Sequence, residues 1–155
     1  MAESGYNTNL AAEFYVLSCL HRLGLTANLT LGNKKGVDIV VVRPDNEVVL
    51  VEVKGLAGKT GWPLDNYKFE LAGPNKVVVL VGFRGKIANP SEMPEVYVVP
   101  AVDLRALTYF APSGRCGVRV STIQKTGARY RDAWELVTAH PAKPAVGAPA
   151  DQAAS

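Results

Sequence analysis

The residues of this chain whose types and spacing suit chemistry lie in two short runs, Gly36-Val37-Asp38 and Glu52-Val53-Lys54. Each adjoins an apolar stretch rich in Val and Ile, where a charged side chain needs a partner or a task. The segment between them fixes how they meet. Arg43-Pro44-Asp45-Asn46 has the make-up of a type I turn, with Pro second and Asn46 suited to the left-handed conformation that follows. That gives a three-residue hairpin loop with Arg43 opposite Glu47. Carried outward, the same register sets Asp38 across from Glu52. Residues paired across strands share a face, with Cβ atoms about 4.5–5.5 Å apart. Lys54, two residues on, shares that face, while Val53 points into the core on the other side.

Two opposed carboxylates repel unless a cation lies between them. A hard divalent ion such as Mg²⁺ suits oxygen ligands. A neighbouring lysine can orient or deprotonate an attacking water and steady the charge developing on a phosphate. The plain alternative is a salt-bridged strand pair in which Lys54 merely neutralises the acids. Glu13 adds a third acid. It falls on the edge of the apolar stripe of a helix over Asn9 to Leu23, marked by Leu10, Phe14, Leu17 and His21, so that it faces the sheet.

The elements that must position these groups read as follows. The helix stops at Gly24. Strands follow at Thr26 to Leu31, Val37 to Arg43 and Glu47 to Lys54, the last two apolar on both faces and so covered on each side. Residues 55–75, rich in Gly and Pro, form a loop with one helical turn near Asn66 to Leu71. Two more strands, Lys76 to Phe83 and Glu95 to Val99, precede a short helix over Val102 to Phe110. An edge strand at Val118 to Ile123 and a helix near Tyr130 to Thr138 complete the chain. The expected class is α/β: a central mixed β-sheet flanked by helices. Residues 1–139 read as one domain, and 140–155, with six Ala and three Pro, as a disordered tail.

A helix carrying Glu, then Asp, then Glu-x-Lys on the second strand of a hairpin resembles the PD-(D/E)XK nuclease superfamily. The Gly-Val-Asp…Val-Glu-Val-Lys form is similar to archaeal Holliday-junction resolvases and related small endonucleases, although Val37 stands where the family name has Pro. The likeness covers about residues 9–99. It implies a restriction-endonuclease-like core in which Asp38, Glu52 and the Val53 carbonyl ligate Mg²⁺, with Mn²⁺ as an alternative. Lys54 would then position or activate water, and Glu13 would hold the metal's water shell. Members often work as homodimers.

Composition sets the outer bounds. At 155 residues, 48% hydrophobic and 20% charged, the chain suits one globular domain without disulfides or a structural metal. No apolar run approaches the roughly 18 residues of a membrane span, and no signal peptide is read at the start. Two cysteines point to a reduced, cytoplasmic setting. Two His and two Cys, spread over residues 19–140, offer no zinc spacing. Gly58-Lys59-Thr60 ends like a P-loop, but Val53 stands where its first Gly belongs and Gly61-Trp62-Pro63 obstructs the following helix.

The net charge of +3 divides unevenly. Residues 1–53 hold four Lys/Arg against six acids, a net of −2, and residues 54–139 hold twelve against seven, a net of +5. Between Gly114 and Arg131 stand five cations and no acid. Lys34, Lys35, Lys59, Trp62, Arg115, Arg119, Lys125, Arg129 and Arg131 are therefore the candidates for contact with nucleic acid, DNA ahead of RNA. The expected activity is metal-dependent hydrolysis of phosphodiester bonds in DNA. The alternatives are a non-catalytic nucleic-acid-binding module, or an interaction or immunity protein that keeps the fold.

Overall fold

The computed structural model describes residues 2–31 and 36–139. Lys34, Lys35 and the 140–155 tail lie outside the described residues. Helix α1 (Ala2–Arg22) leads into strands β1 (Thr26–Leu29), β2 (Ile39–Val42), β3 (Val48–Leu56) and β4 (Gly61–Pro63). Strands β5 (Lys76–Gly82) and β6 (Glu95–Pro100) precede helix α2 (Ala101–Leu104), strands β7 (Tyr109–Phe110) and β8 (Cys116–Arg119), and helices α3 (Val120–Thr126) and α4 (Glu135–Thr138). Among these elements the main sheet has the order β1-β2-β3-β5-β6 and the smaller one β4-β8-β7. β3 runs parallel to β5, and the other pairs are antiparallel. This is the mixed sheet with flanking helices that the sequence indicates. No helix among the described residues is long and apolar enough to cross a membrane.

The hairpin turn follows its chemistry. Asn46 takes φ 69°, its N–H donates to the Arg43 carbonyl at 2.8 Å, and the Arg43 N–H donates to Glu47 at 2.8 Å. The register from Val42↔Val48 to Ile39↔Val51 is the one the turn dictates. Arg43 has a further role. Its side chain is buried and donates through Nε to the Val137 carbonyl at 2.8 Å, tying the hairpin to α4.

Three expectations need correction. The buried stripe of α1 is Ala12, Val16 and Leu20, whereas Phe14 is 54% exposed and His21 also faces solvent. The helix is rotated because the small Ala12, not a larger apolar residue, lies against β3. The chain over 102–110 does not stay helical: a 3₁₀ turn at Arg105–Leu107 ends it, and Tyr109 and Phe110 pair with β8. β8 is no edge strand but the middle of the smaller sheet, and from Val120 the chain is helical until Gly127 closes it onto the Ile123 carbonyl.

The two faces of the main sheet carry separate cores. α1 covers Val51, Val53, Val79 and Val81 on one face. On the other, Trp62, Leu64, Tyr67, Leu104 and Ile123 cover Val78 and Leu80. The alternation of strand residues produces this split, since neighbours along β3 and β5 point to opposite faces. α1 comes closest at Gly55, where a Cβ would sit 2.9 Å from the Ala12 Cβ and 3.0 Å from the Thr8 carbonyl oxygen. Gly55→Ala is expected to cost about 1–3 kcal/mol through overpacking, read as a lower urea midpoint. An unchanged midpoint would contradict this close approach.

Candidate active site

β2 ends at Ile39, opposite Val51. Along β3 the even-numbered residues turn their backbone groups toward β5, as the Leu50 N–H to Asn75 carbonyl bond shows. Val53 turns its N–H and carbonyl the other way, to the side where β2 has already stopped. Asp38 fills that gap. Its Oδ2 accepts the Val53 N–H at 2.7 Å, and its own N–H donates to the Val51 carbonyl at 2.8 Å. Asp38 therefore leaves the hairpin register by one step and caps β3, instead of continuing the ladder opposite Glu52.

Glu52 lies on the face opposite α1 and is buried. Lys54 Nζ approaches its Oε2 at 3.1 Å, from a side chain 27% exposed. A second lysine, Lys76 at the start of β5, brings Nζ to 2.8 Å from Oε1 and is itself 4% exposed. That contact is ionic without the angle of a hydrogen bond, so among the described residues Oε1 has an ion-pair partner and no hydrogen-bond donor. Lys76 Nζ also stands 5.1 Å from the centre of the Tyr67 ring. Gly36, at φ +79°, closes the space from above: a Cβ there would lie 3.4 Å from Lys76 Nζ and 3.7 Å from Glu52 Oε1.

Electrostatics link the acids. Burial pushes the Asp38 carboxyl above the ordinary range and Glu52 pushes it further, against the pull of the Val53 amide, Lys54 and Lys76. Glu13, half-buried on α1, is raised by burial and then by Asp38. Tyr67 is pushed up to about 12 by burial and by Glu52, and its buried hydroxyl has no hydrogen-bond partner among the described residues. Asp38 thus interacts with each of the other two acids, with Glu13 on the α1 side and with Glu52 on the other.

The donor types suit a hard divalent cation: carboxylate oxygens, an Asp38 whose charged form is penalised by burial and by Glu52, and the Val53 carbonyl on the same edge, although both Glu52 oxygens already face lysines. Among the described residues no three His, Cys, Asp or Glu form a ready ligand cluster.

The remaining candidates divide. Trp62 is not a nucleic-acid contact: it is 2% exposed, donates Nε1–H to the Val81 carbonyl at 3.2 Å and meets Tyr97 edge-on. A large apolar ring in a strand that crosses the second core is buried by it. Arg129 donates to the Tyr130 hydroxyl at 2.6 Å, and Arg131 lies 5.8 Å from the Tyr97 ring centre and 3.7 Å from Asp132. Lys125 is exposed on α3. Lys59, Arg115 and Arg119 line one cavity beside the smaller sheet. Lys76 and Tyr67 were not among the expected residues. A lysine opening the otherwise apolar run Lys76-Val77-Val78-Val79-Leu80 is the signal that marks the first; Tyr67 has none in the sequence.

Among solved structures, this fold is similar to that of a bacterial homing endonuclease, with a TM-score of 0.51 and 17% identity over 83% of this chain and 88% of that one. At such identity the likeness is one of fold. No protein-family model and no curated protein matches the sequence.

A carboxyl whose folded pKa is raised costs stability once both states are ionised, and costs nothing below its unfolded pKa. Asp38→Asn keeps an oxygen for the Val53 amide and removes that cost. Thermal melts should show the variant at least as stable as wild type at neutral pH. The advantage should shrink as pH falls through the raised Asp38 pKa into the ordinary carboxylate range. A variant clearly less stable at neutral pH would contradict the burial penalty.

Proposed function

We propose that this protein is a divalent-metal-dependent endonuclease of the PD-(D/E)XK type, acting on phosphodiester bonds in DNA. The observation that carries this reading is the meeting of Asp38, Glu52 and Lys54 where β2 ends against β3, with Glu13 coupled to Asp38 from the α1 side. A fold similar to that of a homing endonuclease supports it.

Asp38 and Glu52, with the Val53 carbonyl, would hold Mg²⁺ or Mn²⁺. The bound ion would supply Lewis-acid polarisation of the phosphate and a lowered water pKa. The chain's own groups do the rest. Lys54 bridges the buried Glu52 and solvent, so its Nζ can meet an incoming water or a phosphate oxygen. Lys76, deeper and less exposed, keeps Glu52 oriented as that happens. Asp38 holds the Val53 amide and so fixes the edge on which its carbonyl lies. Glu13 can accept hydrogen bonds from water entering from the α1 side.

A second reading, a non-catalytic nucleic-acid-binding module, draws on one observation: both oxygens of Glu52 are already matched by lysines. Cleavage separates the two. Supercoiled, linear and branched DNA should be cut with Mg²⁺ and left intact with EDTA. Glu52→Gln and Lys54→Ala should each lower the rate by about 10²–10⁴ while DNA binding in EDTA persists. Salt-sensitive binding by a wild-type protein that cuts none of these substrates would replace the first reading with the second.

A further inference from the structure

The smaller sheet carries a cavity of about 610 Å³ that the carboxylate site does not use. Lys59 from the loop before β4, Arg115 from the loop before β8 and Arg119 from the end of β8 line it, together with Tyr109, Ser121 and Gln124. No acid is among its lining residues; the acids that touch its lining are Asp65, 3.5 Å from Arg115, and Glu95, which accepts from the Gln124 amide at 3.2 Å. The Arg119 guanidinium lies 4.4 Å from the centre of the Tyr109 ring, which is 37% exposed on an outer strand. The next residue of β7 repeats the arrangement on the other side: Arg105 lies 5.0 Å from the ring of Phe110, itself 52% exposed.

Cations without acids select a polyanion. Exposed rings and flat guanidinium groups beside them select a second feature, a free π-face. A single nucleic-acid strand offers both, phosphates for the cations and base faces for stacking, whereas a base-paired duplex hides its base faces. The cavity falls within the ~300–1,000 Å³ of small-molecule sites, room enough for one nucleotide.

We propose that this cavity binds an unpaired nucleotide of a nucleic-acid strand, its phosphates on Lys59, Arg115 and Arg119 and its base stacked on the Tyr109–Arg119 pair. Taken with the endonuclease reading, on which its biological sense rests, this narrows the substrate to DNA with a single-stranded segment. The binding itself needs no cleavage.

The test is fluorescence anisotropy with labelled oligonucleotides in EDTA. Single-stranded DNA and an overhang duplex should bind at least about fivefold more tightly than a blunt duplex of equal length, despite the duplex's higher charge density. Tyr109→Ala should weaken single-strand binding about tenfold, one lost base stack, and leave blunt-duplex binding within about twofold. Tyr109→Phe should retain the preference, and Arg119→Ala should weaken binding to every form. Equal affinity of the wild type for single strand and blunt duplex would overturn the proposal, as would indistinguishable behaviour of Tyr109→Ala and Tyr109→Phe. Cleavage assayed separately with Mg²⁺ keeps the two readings apart. Cutting without a single-strand preference removes only this one, and a preference without cutting removes only the endonuclease.

Discussion

The hydrogen bond from the Val53 amide to the Asp38 carboxylate is the constraint on which the site depends. β3 is longer than β2, so beyond Ile39 its backbone faces a gap where a strand partner would otherwise be. A buried amide left unpaired there would cost about 1–3 kcal/mol. Asp38 satisfies it at 2.7 Å, and in doing so is held beside Glu52 and in reach of Glu13. The same short β2 that creates the gap puts the Asp38 carboxylate, in place of a strand backbone, against the Val53 amide. A strand two residues longer would satisfy the amide and close the site.

Holding acids together in a partly buried place works against the fold, and the lysines show how the cost is met. Glu52 is enclosed on the second core and matched by Lys54 and Lys76, one half-exposed and one buried. Asp38 and Glu13 have no such ion pair among the described residues and carry raised pKa values. Buried ion pairs seldom add net stability against an apolar replacement, yet losing one partner is costly. On the proposed reading, a cation or an anionic substrate joins this cluster.

Much of this was legible in the sequence, for reasons that can be named. Pro44 and Asn46 determine the turn, the turn determines the register, and the register places Glu52 and Lys54 on one face. Local chemistry suffices for each step. What failed to show lies outside local chemistry. The sequence does not mark where β2 ends, so Asp38 reads as the partner of Glu52 and not of the Val53 amide. Lys76 meets Glu52 only because β5 lies parallel to β3, a pairing across a long crossover that no residue spacing reports. The spacing of Leu104 and Leu107 imitates a continuing helix, which hides the outer strand of Tyr109 and Phe110 and with it the cation-lined cavity. In α1, Phe14 drew the apolar stripe toward itself, although the helix packs through the smaller Ala12 against Gly55.

The central claim is that Asp38, Glu52 and the Val53 carbonyl hold a divalent cation. Diffraction from crystals grown with Mn²⁺, recorded at its absorption edge, tests it most directly. The account predicts an anomalous peak within coordinating distance of the Asp38 and Glu52 carboxylates and the Val53 carbonyl, with Lys54 displaced from Glu52 or turned toward the metal's waters. Saturating Mn²⁺ with no peak there, and the Lys54 and Lys76 pairs on Glu52 intact, would contradict it.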